Sequence, residues 1–307
     1  MTDRQRVLRG RTAVVTGAAR GLGAALAREL AARGATVALL GLEPEALARV
    51  SASLPTPSRH WHVDVTDDAW TARVAEEVRR TLGPASVVVA NAGVAEGGPF
   101  VDSDPYSWRR VIEVNLVGSA ITARTFLPHL LDTRGHYLQI ASLASMGAAP
   151  MMSAYCASKA GVESFSHSLR AELGPRGVGV GIAYLNWIDT DMIRESDRFP
   201  VMRELRAHMP LPARKTYSAE HMARRLVTAA ERRAPSVYVP AWLRGVQAVR
   251  AVLPGPVALM TRRELTRSQF TATGLLGAGG SAAAASPGGR GRPPGRAGGE
   301  GARNRRA

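Results

Sequence analysis

Short runs rich in β-branched residues recur along the chain, separated by stretches with helical periodicity. The predicted strands are Thr12–Thr16, Thr36–Leu40, His60–Val63, Ser86–Ala90, His136–Ala141, Gly179–Tyr184 and Ser236–Val239. Between the first two, Leu22, Leu26 and Leu30 repeat at helical spacing, and a glycine then stops the helix. This alternation predicts a doubly wound α/β Rossmann fold, in which a central, mostly parallel sheet of seven strands carries helices on both faces.

Such a sheet binds ligands at the carboxyl ends of its strands, so functional residues are expected directly after each strand. The first strand runs into the glycine-rich segment 16–23, TGAARGLG, which also opens the first helix. Glycines at this place let a pyrophosphate approach backbone N–H groups at a helix N-terminus. A turn that merely connects strand to helix is the alternative, but the context favours a dinucleotide site.

Polar and small residues follow the third and fourth strands as well. Asp64 is placed to accept a hydrogen bond from an adenine amino group, with Val65 adding backbone contacts, although a helix-capping role explains Asp64 almost equally well. The segment Asn91-Ala92-Gly93 permits close approach of a ribose, with an ordinary turn as the alternative. Asn115 lies in a helical pattern where asparagine is unfavourable, so we expect its side chain to have a buried partner.

Tyr155 and Lys159 are four residues apart in a helical segment and therefore share a face. Lys159 is one of only two lysines among 40 basic residues, the other being Lys215. A cation about 5 Å from a phenol stabilises the phenolate by roughly 3 kcal/mol at an effective dielectric constant of about 20. That is enough to bring a tyrosine pKa from about 10 toward neutrality. Ser142 ends the fifth strand, where its hydroxyl could hold a substrate oxygen or cap a turn.

Together these motifs, TGxxxGxG and YxxxK above all, resemble the compact subclass of the short-chain dehydrogenase/reductase family, from Arg9 to about Val239. The resemblance implies that Tyr155 is the general acid/base and that Lys159 lowers its pKa and binds the nicotinamide ribose. It also implies that Ser142 orients the substrate oxygen and that Asn115 supports a water through which Lys159 relays protons. The implied cofactor contacts are Thr16, Gly17, Arg20, Gly21, Leu22, Gly23, Asp64, Val65, Asn91, Ala92, Gly93, Tyr155, Lys159, Ile188 and Thr190.

Two positions depart from the family pattern. Leu185-Asn186 replaces the Pro-Gly step that precedes the nicotinamide-contacting segment, so backbone freedom is lost there. Gly41 stands where an acidic residue binds the adenosine ribose of NAD. Its lack of charge and the presence of Arg20, which can pair with a 2′-phosphate, slightly favour NADP as the cofactor. Glu43 can instead reach the ribose hydroxyls, so NAD stays open.

An apolar substrate pocket is expected beside the nicotinamide. Its predicted lining residues are Leu143, Met146, Met151, Met152, Trp187, Met192 and Ile193. This lining suits a hydrophobic alcohol or ketone, although methionines equally fill irregular cores. The variable segment 194–216 is predicted to form a lid. The apolar stretch 245–260 is expected to pack in the ordinary way, with covering the pocket or touching a membrane surface as alternatives.

Composition indicates how the chain is divided into domains and which classes of partner it can bind. A single NAD(P)-binding catalytic domain is expected over residues 1–270, with a core of about 9–240 and a C-terminal extension over 241–270. Residues 271–307 are rich in Gly, Ala, Pro and Arg and predict a disordered tail, because they lack apolar side chains to offset the entropy of ordering. The net charge of +15 is spread without a basic stripe, so we expect no specific nucleic-acid partner, only weak attraction of the tail to polyanions.

The remaining features favour a cytoplasmic protein. Cys156 is the only cysteine, so no disulfide framework exists, and none of the seven histidines has metal-ligand spacing, so no metal is expected. No secretory pattern opens the chain, and no apolar run reaches the roughly 18 residues of a transmembrane segment. The family resemblance implies a homodimer or homotetramer, paired through the helices around Asn115 and Tyr155.

The sequence therefore predicts an NAD(P)-dependent oxidoreductase that interconverts a secondary alcohol and a ketone, with a hydrophobic substrate and a Ser-Tyr-Lys-Asn mechanism. A catalytically silent NAD(P)-binding regulatory or scaffold protein is the alternative from another class. A pure sensor would not need the complete set of Asn115, Ser142, Tyr155 and Lys159. A nucleic-acid-associated protein that acts through its basic tail is a third possibility.

Overall fold

The computed structural model describes residues 7–147, 149–207, 209–265 and 272–277. The strands of this part of the chain are β1 (Thr12–Thr16), β2 (Thr36–Gly41), β3 (Ser58–His62), β4 (Ala85–Ala90), β5 (Ala95–Glu96), β6 (His136–Ile140), β7 (Gly179–Leu185), β8 (Ile188–Asp189), β9 (Tyr217–Ser218), β10 (Ser236–Val239) and β11 (Leu275–Leu276). Seven of them form the central sheet in the order β10-β7-β6-β4-β1-β2-β3, with every pair parallel. All seven predicted strands are thus confirmed, with ends shifted by no more than two residues.

Helices connect the strands. The α-helices of the described residues are α1 (Gly21–Ala32), α2 (Pro44–Ala52), α3 (Asp68–Leu82), α4 (Pro105–Ile112), α5 (Gly118–Thr133), α6 (Ser153–Leu173), α7 (Asp191–Ser196), α8 (Pro200–Ala207), α9 (Leu211–Arg214), α10 (Ala219–Glu231), α11 (Leu243–Val249) and α12 (Pro254–Leu265). None of the helices within these described ranges combines the length and the apolar character needed to cross a lipid bilayer.

The core lies in two layers, one on each face of the sheet. On one face α1, α2 and α10 pack against the strands, and Leu22, Leu26 and Leu30 of α1 are buried there as their spacing predicts. On the other face α3, α5 and α6 cover the sheet, with Phe126 and Leu130 among the buried residues. Strands buried on both faces read as continuous apolar runs, which explains why all residues of β1 and β4 are buried.

The strand order places the functional site. The chain continues from β1 to β2 on one side and returns at β4 on the other, so the carboxyl ends of β1 and β4 flank the point where the strand order reverses. Open parallel sheets bind ligands in the crevice at this point. The glycine-rich segment after β1 and the Asn91-Ala92-Gly93 segment after β4 therefore face each other.

A second, smaller sheet brings distant parts of the chain together. β11 pairs antiparallel with β5, so residues 272–277 return from the C-terminal side to the region that follows β4. The sequence places the start of a disordered tail at residue 271, whereas 272–277 pair through their backbone and bury Leu276. The other residues of the predicted tail, 271 and 278–307, lie outside the described residues.

Candidate active site

The glycine-rich segment after β1 forms a cradle that side chains would fill. Gly17 has φ +65°, and a Cβ there would lie 2.9 Å from Cα of Ala92. A Cβ on Gly23 would overlap the carbonyl oxygen of Gly17. Glycine is the residue that tolerates both the positive φ and the contact. The Arg20 side chain makes no capping hydrogen bond at the start of α1, so the first backbone N–H groups of this helix remain available to an anion, as in a pyrophosphate site.

The ends of β1 and β4 are held together by side chains. The Thr16 hydroxyl accepts hydrogen bonds from the backbone N–H groups of Asn91 and Ala92, both at 3.0 Å. The Asn91 amide donates to the carbonyl oxygens of Thr16 at 2.9 Å and Gly17 at 3.2 Å. Asn91 and Thr16 are predicted cofactor contacts, and in the structure they also fix the two loops that line the crevice.

The segment after β7 lies across this cradle. Thr190 precedes α7, and its Cγ2 is 3.0 Å from where a Cβ of Gly21 would stand. Ile188, Thr190, Gly21 and Leu22 line the same cavity. The structure thus brings the predicted nicotinamide contacts next to the predicted pyrophosphate loop.

Charged side chains mark the far end of the crevice, beside Gly41. Arg20 donates from Nε to one carboxylate oxygen of Glu43 at 3.1 Å and from Nη2 to the other oxygen. Both side chains are about one-third exposed and line the cavity together with Gly41. The two residues between which the sequence left the cofactor preference open are therefore paired with each other.

Asp64 faces the cavity but has partners within the chain. It accepts from the backbone and the hydroxyl of Thr66, at 2.9 and 2.8 Å, and forms an ion pair with Arg110. Burial by itself would raise the pKa of Asp64, but these hydrogen bonds and the arginine charge outweigh it and lower the pKa. Helix α3 is capped by Asp67 and not by Asp64. Val65 is buried and also lines the cavity.

Tyr155 and Lys159 lie on the same side of α6 and both line the cavity. The Lys159 ammonium is 5.6 Å from the centroid of the Tyr155 ring and donates to the carbonyl oxygen of Ile140 at 3.1 Å. Lys159 is only 5% exposed, and burial lowers its pKa to about 8. Burial raises the pKa of Tyr155 to about 12, while a hydrogen bond with Ser142 acts in the opposite direction.

The upward pKa shift of Tyr155 is the opposite of the downward shift expected from the sequence, because that expectation considered only the attraction of a cation for the phenolate. The half-buried Tyr155 side chain packs against the apolar cluster of Met152 and Met202, so transfer of the phenolate from water is unfavourable. Burial dominates over the neighbouring charge. The Ser142 hydroxyl also accepts from the N–H of Ala144 at 3.2 Å, so the turn-capping role and the contact with Tyr155 coexist.

Asn115 is fully buried in a π-helical turn, Glu113–Val117, between α4 and α5. Its side-chain oxygen accepts from the N–H of Val94 at 2.8 Å, and its amide donates to the Val94 carbonyl and to Ser158, both at 2.9 Å. The expected buried partners therefore exist. A Cβ on Gly93 would lie 3.1 Å from this oxygen and 3.7 Å from the Lys159 ammonium, so Asn115 and Lys159 approach the same glycine.

The crevice continues into a cavity of about 1410 Å³. Of the predicted substrate-pocket residues, Leu143, Met151, Met152, Trp187, Met192 and Ile193 line it. Met146 does not. It is 2% exposed and packs in a separate core cluster with Ala141 and Leu243, so for Met146 the core-filling alternative is the observed one.

The structure adds lining residues that the sequence argument did not assign. They come from the C-terminal part of the chain and are Trp242, Val246, Leu253, Pro256, Val257, Leu259, Leu276 and Gly277. The stretch 245–260 thus covers the pocket, which was one of its alternatives and not the expected one. Its apolar composition was the available signal, but it could not distinguish a cavity wall from ordinary core.

Asn186, which stands in the segment that replaces the family's Pro-Gly step, makes structural hydrogen bonds that the sequence did not predict. It is 8% exposed, and its amide donates to the carbonyl oxygens of Ala213 and Lys215, both at 3.1 Å. These carbonyls lie at the end of the predicted lid segment 194–216. Described residues of that segment, including Met202 and Ala213, line the cavity. Asn186 therefore fastens this segment to the end of β7.

Comparison with known proteins identifies a family and relatives to which this chain is similar. The family model for short chain dehydrogenases matches residues 11–200. A meso-2,3-butanediol dehydrogenase of Serratia marcescens is 33% identical over 58% of this chain and 72% of its own length. A trans-4-hydroxycyclohexanecarboxylate dehydrogenase of Sinomonas cyclohexanicum is 34% identical over 59% and 74%, respectively. A 3-oxoacyl-[acyl-carrier-protein] reductase of Haemophilus influenzae is 30% identical over 60% and 77%.

The matched segment contains the glycine-rich cradle, the Tyr155–Lys159 pair and six of the seven strands of the central sheet. It covers more than half of the 307 residues. The chain therefore belongs to the short-chain dehydrogenase/reductase family and is an oxidoreductase that acts on CH–OH groups.

Proposed function

We propose that this chain is an NAD(P)-dependent oxidoreductase that interconverts a hydrophobic secondary alcohol and its ketone. The observation that carries the proposal is that the Tyr155 phenol and the buried Lys159 ammonium open onto the same cavity as the glycine cradle. The cradle fits a dinucleotide, because the space at Gly17 and Gly23 that a Cβ would occupy is needed for close backbone approach.

The residues divide the chemistry among them. A bound nicotinamide dinucleotide supplies or accepts the hydride. In reduction the Tyr155 hydroxyl donates its proton to the carbonyl oxygen, and in oxidation the phenolate accepts the alcohol proton. The Ser142 hydroxyl hydrogen-bonds the substrate oxygen and Tyr155, and so orients both. Lys159, held by the Ile140 carbonyl, places a positive charge beside the phenol.

Asn115 acts as a positioning residue in this proposal. Its hydrogen bonds to both backbone groups of Val94 fix the segment that carries Asn91, Ala92 and Gly93 against the ribose site. Its neighbour Ser158 links it to α6, the helix of Tyr155 and Lys159. A water held near Asn115 for proton relay, as the family resemblance implies, stays a prediction.

The Arg20–Glu43 pair bears on the choice of dinucleotide. A 2′-phosphate would meet an ion pair with no net charge, and Glu43 would repel it. A 2′-hydroxyl can donate to Glu43 while Arg20 stays paired. We therefore infer that NAD is preferred and that NADP is the second choice, the reverse of the small preference for NADP that Gly41 and Arg20 indicate in the sequence alone.

The apolar lining supports a hydrophobic substrate. Leu143, Met151, Met152 and Met192 present side chains without charge, and Trp187 adds an aromatic face. The relatives are named for a small diol, a cyclic hydroxy acid and a 3-oxoacyl thioester, which share a secondary alcohol or ketone. That shared group supports the reaction class. A cytoplasmic location and a homodimer or homotetramer stay predictions.

Replacing Tyr155 with Phe tests the proposal. The variant removes only the hydroxyl, so we expect turnover of hydrophobic ketones to fall at least about 100-fold while the dissociation constants for NADH and NADPH stay within about twofold. Nicotinamide absorbance measures the first quantity and fluorescence titration the second. Ser153→Ala, which removes a hydroxyl from an exposed side chain two residues before Tyr155, is the matched control. Unchanged turnover in Tyr155→Phe would exclude the acid/base role, whereas absence of turnover in the wild-type chain with either dinucleotide would favour the silent binding protein.

A further inference from the structure

The C-terminal strand β11 closes the cavity next to Tyr155. Leu275 lies opposite Glu96 and Leu276 opposite Ala95 in an antiparallel pair. β5 directly follows Val94, the residue that Asn115 holds through both backbone groups. The partner of β11 is therefore part of the same rigid segment that follows β4 and flanks the nicotinamide side of the site.

The pairing extends beyond the two residues of the strand. The N–H of Thr273 donates to the carbonyl oxygen of Gly97 at 2.7 Å, and the N–H of Gly97 donates to the Thr273 hydroxyl at 2.9 Å. A Cβ on Gly98 would lie 2.5 Å from Cα of Ala272. Backbone contact at this distance requires glycine, so the segment 97–98 is shaped to receive residues 272–273.

The side chains of β11 lie close to the cavity and to Tyr155. Leu276 is 1% exposed and lines the cavity. Leu275 packs against the cluster of Val94, Val111 and Ala154, which Tyr155 also contacts. The strand thus contributes one side chain to the cavity wall and another to the packing behind Tyr155.

Gly277 ends this wall beside the predicted nicotinamide site. It has φ +106°, and a Cβ there would lie 2.7 Å from the terminal methyl group of Met192 and 3.6 Å from the carbonyl oxygen of Gly93. Both the backbone conformation and the contact favour glycine. Met192 and Gly277 therefore meet in the lining of the cavity.

We propose that residues 272–277 are a specificity-determining wall of the substrate site, in which Leu276 and the Gly277–Met192 contact limit the size of the group next to the reacting carbon. The proposal rests on the proposed alcohol/ketone function. Hydrophobic pockets discriminate between substrates by about 10- to 200-fold for each methylene group that fits or fails to fit. Removal of the wall should therefore change the ranking of substrates and not only the overall rate.

Two shortened chains and one point variant test this. A chain that ends at residue 277 keeps the wall, and a chain that ends at residue 271 lacks it, so the first is the matched control for the second. Leu276→Ala keeps the backbone pairing and removes most of the side chain. The readouts are kcat/KM for a series of straight-chain and branched methyl ketones, the dissociation constant for NADH, and the hydrogen-exchange rate of the Gly97 amide.

We expect the chain ending at 277 to match the full chain in substrate ranking. The chain ending at 271 and Leu276→Ala should favour the bulkier ketones over the smallest by at least about tenfold relative to it. The dissociation constant for NADH should change less than about threefold. Exchange at Gly97 should accelerate in the chain ending at 271 and stay slow in Leu276→Ala, which keeps Thr273.

An unchanged substrate ranking in the chain ending at 271 would overturn the proposal. So would a loss of NADH binding that parallels the loss of turnover, because the segment would then support the cofactor site or the fold. Failure of the full chain to turn over any ketone with either dinucleotide would instead refute the proposed function. Equal exchange rates at Gly97 in the two shortened chains would refute the strand pairing without reference to activity.

Discussion

Replacing Lys159 with Met should stabilise the fold and abolish turnover. Burial lowers the pKa of Lys159 from its ordinary 10.5 to about 8, so at pH 7 the folded protein holds an ammonium that its surroundings disfavour. At 1.36 kcal/mol per pKa unit this corresponds to about 3 kcal/mol. Methionine has a similar length and no charge, so it removes that unfavourable term and keeps the packing.

The stabilising interaction that Lys159→Met removes is small. Lys159 donates one hydrogen bond, to the carbonyl oxygen of Ile140, and this carbonyl also accepts from the Gln139 amide at 3.3 Å. It therefore keeps a partner in the variant, and the lost bond contributes about 1 kcal/mol. The expected net gain is about 2 kcal/mol, or roughly 4 to 8 °C in Tm for a domain of this size.

The stability gain of Lys159→Met over the wild-type protein should become smaller as the pH rises. Above about pH 8 the folded wild-type loses the Lys159 proton, while the unfolded chain keeps it up to about 10.5. The unfolded state then binds more protons, so wild-type stability rises with pH in this window and the advantage of the variant shrinks. The urea midpoints of both proteins at pH 7 and pH 10 measure this difference.

Lys215→Met provides the control, because it makes the same chemical change at an exposed side chain that lies 5.3 Å from the centroid of the Tyr217 ring. It should alter stability by no more than about 0.5 kcal/mol and should leave kcat nearly unchanged. In contrast, Lys159→Met should lower kcat by about 100-fold or more. A Lys159→Met protein that is less stable than wild-type at pH 7, or whose stability difference is constant from pH 7 to 10, would refute the reasoning.

Four further substitutions have defined outcomes. Glu43→Gln should raise kcat/KM with NADP relative to NAD by about tenfold, and Arg20→Gln should lower it, as steady-state assays with both dinucleotides can measure. Asn186→Ala removes two hydrogen bonds from a buried amide and should cost about 1 to 3 kcal/mol in urea unfolding, with a larger rise in KM for the ketone than for NADH. Burial lowers the pKa of His136 to about 4, so between pH 4 and 6.5 the folded ring stays neutral while the unfolded ring is protonated. The free energy of unfolding should therefore fall as the pH drops from 6.5 to 4. His136→Leu should reduce that fall, and His129, whose pKa burial also lowers to about 4, should account for a further part of it.

The parts of the structure that the sequence predicted are those with local signals. Strands β1, β2 and β4 contain β-branched residues in apolar runs, and the cradle is marked by glycines whose spacing follows from a strand, a turn and a helix. Asn115 was recognised because asparagine is unfavourable inside a helix, and the π-helical turn around it shows why it is tolerated. Local patterns of this kind depend on a few neighbouring residues, so they can be recognised in a sequence without knowledge of the tertiary fold.

The parts that the sequence did not predict depend on burial and on contacts between distant residues. The direction of the Tyr155 pKa shift required knowledge of how completely the ring is enclosed, which charge spacing does not contain. Two-residue strands such as β5 and β11 carry no periodicity, and their pairing joins residues about 180 positions apart. The ion pair of Asp64 with Arg110 likewise joins elements whose adjacency only the fold defines.

The residues proposed for the reaction lie inside the match to the family model, whereas part of the cavity lining lies beyond it. The family model ends at residue 200, and it includes the cradle, Tyr155 and Lys159. The walls contributed by Trp242, Leu253 and Leu276 lie beyond it. The family model therefore supports the class of reaction, since its match includes the residues proposed for the reaction. The relatives' substrates do not transfer, because part of the cavity lining that would select a substrate in this chain, including Leu276, lies outside the match to the family model.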